Sequence, residues 1–157
     1  MKKVIALLLV LVCVLSLAAC NNAEQEQVAT YSFCGEHDYF AISTGSVILS
    51  DTEEVFDGGD LQITQSGVFE AVTSYSTTFY TLTDGEQRTI LSNSVIDQTG
   101  GSVNVGGDLG KASGKGIITG NKVKSSEELK ENLWFELKPT DLEGKENVYQ
   151  IQLALTD

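Results

Sequence analysis

The chain has 157 residues, with 22 acidic side chains against 10 basic ones and a formal charge of −12. Such a charge repels nucleic acid and anionic head groups within the Debye length of about 8 to 10 Å, so neither is expected as a partner. Three cysteines and a single histidine exclude a disulfide-stapled scaffold and a dense Cys/His metal cage, and no cofactor is expected.

The first twenty residues, MKKVIALLLVLVCVLSLAAC, read as a lipoprotein signal. Lys2 and Lys3 form a basic start, an apolar run follows, and Leu17-Ala18-Ala19 precede Cys20 as a small-residue cleavage site. An ordinary secretory leader needs no cysteine after the cut, whereas a lipoprotein needs the thiol of its new first residue to carry diacylglycerol. Residues 4–19 are too few for a comfortable transmembrane helix, which needs about 20. The expectation is a signal peptide over 1–19, a lipid on Cys20 with acyl chains such as palmitate, and anchorage on the outer face of the cell membrane. Removing Lys2 and Lys3 takes the formal charge to −14 on the 138 residues that remain, a usual size for one domain. Cys13 leaves with the leader and Cys20 is acylated, so Cys34 lacks a partner and is expected as a buried small apolar residue.

Residues 20–27 are the lipidated terminus and a polar tether, and a single folded domain is expected over 28–157. Runs rich in Val, Ile, Thr, Tyr and Phe, broken by Gly, Asp and Asn, predict strands at 28–33, 39–44, 46–50, 54–56 and 61–64. Longer strands follow at 71–83 and 88–96, with Asp84-Gly85 turning one into the other. The glycine-rich stretch 97–120 predicts loops, with short strands at Val103 to Val105 and at Ile117-Ile118. Ser125 and Glu128 make a capping box before Leu129 and Leu133, which predicts a short helix. Strands at 133–138 and 148–156 close the chain, the second alternating strictly from Tyr149 to Thr156, with Pro139 just past the first. The lone Trp134 is assigned to the core. About eight short strands and one helix insertion predict an all-β antiparallel sandwich, Ig-like or jelly-roll-like, ahead of a closed barrel.

Chemistry is sparse. Cys34 and His37 are three residues apart, with Glu36 and Asp38 available to orient an imidazole, but a hairpin over 35–38 would leave His37 at an exposed tip away from the thiol. Asp51, Glu53, Glu54, Asp57 and Asp60 could supply the carboxylate pair of a glycosidase or oxygen ligands to calcium, and the bland expectation for such a run is a solvated acidic face. Gly110-Lys111 and Gly114-Lys115 miss the phosphate-loop motif, since neither has the required glycine five residues earlier or a hydroxyl after the lysine. No catalytic residue is assigned.

The runs SYSTTFYTL at 74–82 and RTILSNSV at 88–95, with LWFEL at 133–137 and GKENVY at 144–149, resemble small uncharacterised lipoproteins of Gram-positive, Clostridia-like bacteria. The resemblance implies a lipid-anchored surface domain and brings no catalytic residues. The expected function is therefore a non-enzymatic module that binds an envelope protein, peptide or glycan. An envelope-polymer hydrolase using paired carboxylates, and a sequestering protein for cationic antimicrobial peptides, are the alternatives.

Overall fold

A computed structural model describes residues 28–65, 67–120 and 126–156, with the side chains of 126–128 left out. The expected signal, Cys20, the tether, and the capping pair Ser125 and Glu128 lie outside what it describes. Its elements in chain order are β1 (Ala29–Glu36), β2 (Phe40–Leu49), β3 (Glu54–Asp57), β4 (Asp60–Ile63), β5 (Val72–Thr83) and β6 (Glu86–Ile96). Then come β7 (Gly107–Asp108), β8 (Lys111–Gly114), α1 (Ser126–Asn132), β9 (Leu133–Asp141), β10 (Tyr149–Gln152) and β11 (Ala154–Thr156). They form two antiparallel sheets, one ordered β11-β1-β2-β3-β8 with β4 and β7 beside them, the other β10-β9-β5-β6. The fold is the expected all-β sandwich with one short helix.

Several of the eleven strands are halves of longer ones. Ser46 pairs with Asp57 and Ser43 with Asp60, so β3 and β4 run along β2 in one unbroken register, interrupted at Gly58-Gly59. The same holds for β7 and β8 along them, where Gly58 N–H reaches the Gly110 carbonyl and Leu109 N–H the Gly59 carbonyl, each at 2.9 Å. The two strands expected at 39–44 and 46–50 are a single strand, β2, because Gly45 continues the ladder opposite Phe33 instead of breaking it. Gly59 has φ +71, and a β-carbon there would strike the Ser43 carbonyl and the Gly45 nitrogen, so this interruption requires glycine.

The core is built on phenylalanine. Phe33 stacks on Phe56 at 5.3 Å between centroids, Phe56 meets Phe79 edge-on at 4.9 Å, and Phe79 meets Phe135 at 4.9 Å. The rings thus step from the first sheet to the second, each contact adding about 0.5–1.5 kcal/mol beyond burial. Leu129 on α1 and Leu133 at the start of β9 are fully buried beneath them.

The last expected strand is correct in its alternation and split in its pairing. Ile151, Leu153 and Leu155 point inward, but β10 belongs to the second sheet and β11 to the first, with Leu153 at the crossing and its N–H on the Leu133 carbonyl at 2.9 Å. Other expectations are corrected. Val103 to Val105 and Ile117-Ile118 are not strands; Val105 and Ile118 are buried loop residues that close the core, and β7 and β8 take the strand roles in that stretch. Trp134 is not in the core: it alternates with Leu133 and Phe135 and so lies half-buried on the outer side of β9, opposite Tyr80. Pro139 lies inside β9, buried opposite Tyr75. Its carbonyl faces Asn147, so its missing N–H points away from β5 and leaves that ladder intact. The Asp84-Gly85 turn is as expected, with φ of 53° and 78° at its two central residues, the signature of a type I′ hairpin.

Candidate functional site

The sandwich carries a cleft of about 900 Å³ at the end where β2 turns into β3 and β5 into β6. One wall is the turn Ser50-Asp51 with Glu54, the second is Thr81, Thr83 and Glu86 to Arg88, and the third is the loop Lys115, Gly116, Thr119 and Gly120. Hydroxyls, a carboxamide and charges of both signs line it, and none of its lining side chains is aromatic. The first described strand begins beside it, since Ala29 pairs with Leu49 next to Ser50.

Glu54 holds this end together. It is 5% exposed, and one carboxylate oxygen accepts the N–H groups of Ile118 at 2.7 Å and Thr119 at 3.2 Å, while the other accepts the Thr119 hydroxyl. The Arg88 guanidinium donates to the Gly116 carbonyl, tying β6 to the same loop. Glu54 therefore is not part of a solvated acidic face. The period of two offered the signal, because Glu54 shares its side of β3 with the fully buried Phe56. Arg88, Lys115 and the threonines of the cleft carried no motif by which the sequence would single them out.

The remaining acids of the run are dispersed. Asp57 pairs with Lys111 at 2.6 Å and accepts the Gly59 N–H at 3.1 Å. Burial works against its ionisation, but the Lys111 ammonium and the Gly59 N–H outweigh it and hold the carboxyl below its ordinary range. Asp60 accepts the Thr44 hydroxyl at 3.4 Å, and Glu53 is exposed in a turn whose carbonyl accepts Ser50 N–H at 3.1 Å. Among the described residues no group of three His, Cys, Asp or Glu side chains is gathered to hold a metal ion.

The thiol and the imidazole are not brought together. Cys34 is exposed, contrary to the expected burial: it lies on β1 between Phe33 and Gly35, which face inward, opposite a bulge of β2 at Ser43-Thr44, and so points outward beside Ala154 of β11. His37 lies in the turn as expected, yet its ring is half-buried, stacking on Phe40 at 4.9 Å and meeting Tyr149 edge-on at 5.3 Å. Its Nδ1 accepts the Tyr39 N–H at 3.3 Å, so the imidazole serves the packing of that end.

A second polar cluster covers the outer side of β9. Glu136 is 8% exposed and accepts from Gln150 at 2.7 Å and Lys138 at 2.9 Å. Burial, and then the Glu136 charge, push the Tyr80 hydroxyl above its ordinary range against a smaller opposing pull from Lys138. Glu136 is thus paired on both sides, and none of Tyr80, Glu136, Lys138 and Gln150 lines the cleft.

No helix among the described residues is long and apolar enough to cross a membrane. No family model, curated protein or solved structure matches the chain.

Proposed function

We propose that the chain is an extracytoplasmic lipoprotein, anchored in the cell membrane through Cys20, which works as a non-enzymatic binding module and takes a peptide segment of an envelope partner in the cleft. The cleft carries this reading. Its hydroxyl, amide and mixed-charge lining suits a main chain with polar side groups, while a ring-free wall offers a glycan no stacking surface. The acidic body favours encounter with a basic segment, which keeps a cationic peptide among its ligands. A hydrolase is the weaker alternative, because Glu54, the buried carboxylate of the cleft, is held by three hydrogen bonds from Ile118 and Thr119 and so serves to fix the loop that walls the cleft.

The test is site-specific photocrosslinking in cells from Gln87 in the cleft, with Ser32 on β1 as the comparison and Cys20→Ser as the unanchored form. The reading expects an adduct from Gln87 that is missing from Ser32 and lost in Cys20→Ser. Identical adducts from both positions would remove the cleft from the proposal, and an adduct unchanged in Cys20→Ser would remove the anchor.

A further inference from the structure

The two sheets end in edges of very different kinds. β10 has four residues, β11 three and β8 four, and short edges of this sort resist pairing with other chains. β6 has eleven residues, pairs among the described residues with β5 alone, and is exposed along nearly its whole length. Proteins usually guard such an edge with lysine, proline or a bulge. Here an extra residue, Ile90, is inserted between Thr89, which faces Tyr80, and Leu91, which faces Phe79; beyond it Leu91 to Ile96 carries no lysine, proline or charge.

The register says which groups are on offer. Asp97 N–H reaches the Thr73 carbonyl at 2.9 Å, so Asp97 points its backbone at β5, and by the alternation of an antiparallel ladder so do Val95, Asn93 and Leu91. Ser92, Ser94 and Ile96 then direct their N–H and carbonyl groups outward. Val95 is 41% and Ile96 67% exposed at the end of this edge.

We propose that β6 is a self-association edge, on which a second copy of this chain pairs antiparallel about a twofold axis at Ser94. In that register Ser94 faces its own counterpart and Ser92 faces Ile96 of the second copy, so all three outward-directed residues fall in hydrogen-bonded positions. Asn93 and Val95 stand opposite each other on the inward side. The register selects the occupant: about this axis the outward residues of the edge meet their own counterparts, and although two chains of formal charge −12 repel over most of their surface, Thr89 to Ile96 is an eight-residue stretch where they meet with no like charges opposed. Pairing joins the two four-stranded sheets into one of eight strands. About six residues a side is well below the 20 to 30 of a standard interface, so the dimer is concentration-dependent and is favoured where copies share one surface.

The experiment uses the full chain in its membranes. Ser94→Cys in a Cys34→Ser background is oxidised mildly, beside Cys34→Ser alone and Cys34→Ser with Ser32→Cys. Residues facing each other in such a pair have Cα atoms about 5.5 Å apart, within disulfide reach. A disulfide-linked dimer from Ser94→Cys that is absent from both comparisons is the expected result. In parallel, the parent's weight-average mass in detergent should double with rising concentration while Ser94→Lys, which opposes two ammonium groups at the axis, stays monomeric at an unchanged urea midpoint. No dimer from Ser94→Cys, equal dimer from Ser32→Cys, a Ser94→Lys chain that still doubles in mass, or adducts of Ser94→Cys with other proteins alone would each overturn the proposal.

Discussion

The ring of Phe33 occupies the space that a β-carbon on Gly45 would need, across the β1–β2 ladder in which the two residues are paired. Gly58, further across the same sheet, does likewise for Phe79: a β-carbon there would lie 2.9 Å from that ring. The aromatic core thus rests partly on bare backbone. Gly45→Ala should therefore lose about 1–3 kcal/mol in urea unfolding, as overpacked cores do. Phe33→Leu in the same chain should return part of that loss, because the two residues are coupled. Gly85→Asn, in an open turn with nothing within 4 Å, is the control and should stay within about 0.5 kcal/mol. Additive losses from Gly45→Ala and Phe33→Leu would refute the contact.

Glu54 is expected to control the order of the cleft loop. Glu54→Ala strands the Ile118 and Thr119 amides and should cost about 1–3 kcal/mol. Glu54→Gln, which keeps an acceptor oxygen, should cost less. Hydrogen exchange at Ile118 and Thr119 reports the mechanism: both amides should lose protection in Glu54→Ala, and unchanged exchange beside a lowered midpoint would show that the loss arises elsewhere.

The Asp57–Lys111 pair gives stability a defined pH dependence. The Asp57 carboxyl is held below its ordinary range, so its contribution is present above the unfolded carboxylate pKa of about 4 and fades as pH falls through the lower folded value. Lys111 is raised by the same pair, so its contribution is present below its unfolded pKa and fades only at strongly alkaline pH. Urea midpoints of Asp57→Asn should accordingly fall less steeply than those of the parent between about pH 6 and pH 3. Parallel curves would mean that the pair contributes nothing.

Cys34 should react with a disulfide reagent in the folded protein nearly as fast as in urea, because its side chain faces solvent. Cys34→Ser should leave the unfolding midpoint within about 0.5 kcal/mol of the parent. Slow modification that becomes fast on unfolding would instead place the thiol inside the sheet.

Much of the fold was legible because the period of two survives in the sequence. The Asp84-Gly85 hairpin and the inward row Ile151, Leu153, Leu155 were read from pattern and appear as read. Partner choice was not legible: alternation says which side of a strand is buried, but it cannot say that the strand changes sheets at Leu153. Gly45 misled for a related reason, since a glycine that ends a strand and one that makes room for an aromatic ring look alike. Trp134 was misplaced by treating size as burial when Leu133 and Phe135 had already set the inward phase. The cleft was invisible because Ser50, Arg88 and Thr119 meet only through tertiary structure, and no motif of spacing encodes a wall built from three loops.

The pairing of β1 with β11 joins Ser32 to Thr156, the first and the last of the described strands. The first sheet therefore remains incomplete until β11 has been delivered, and β1 lacks its second neighbour until then. Non-local closure of this kind folds slowly, on the order of milliseconds to seconds. An emerging chain thus has time to remain unfolded, and a truncation that removes only the last strand leaves β1 as a fresh edge open to aggregation. Late closure of this kind acts as a timing device written into the topology.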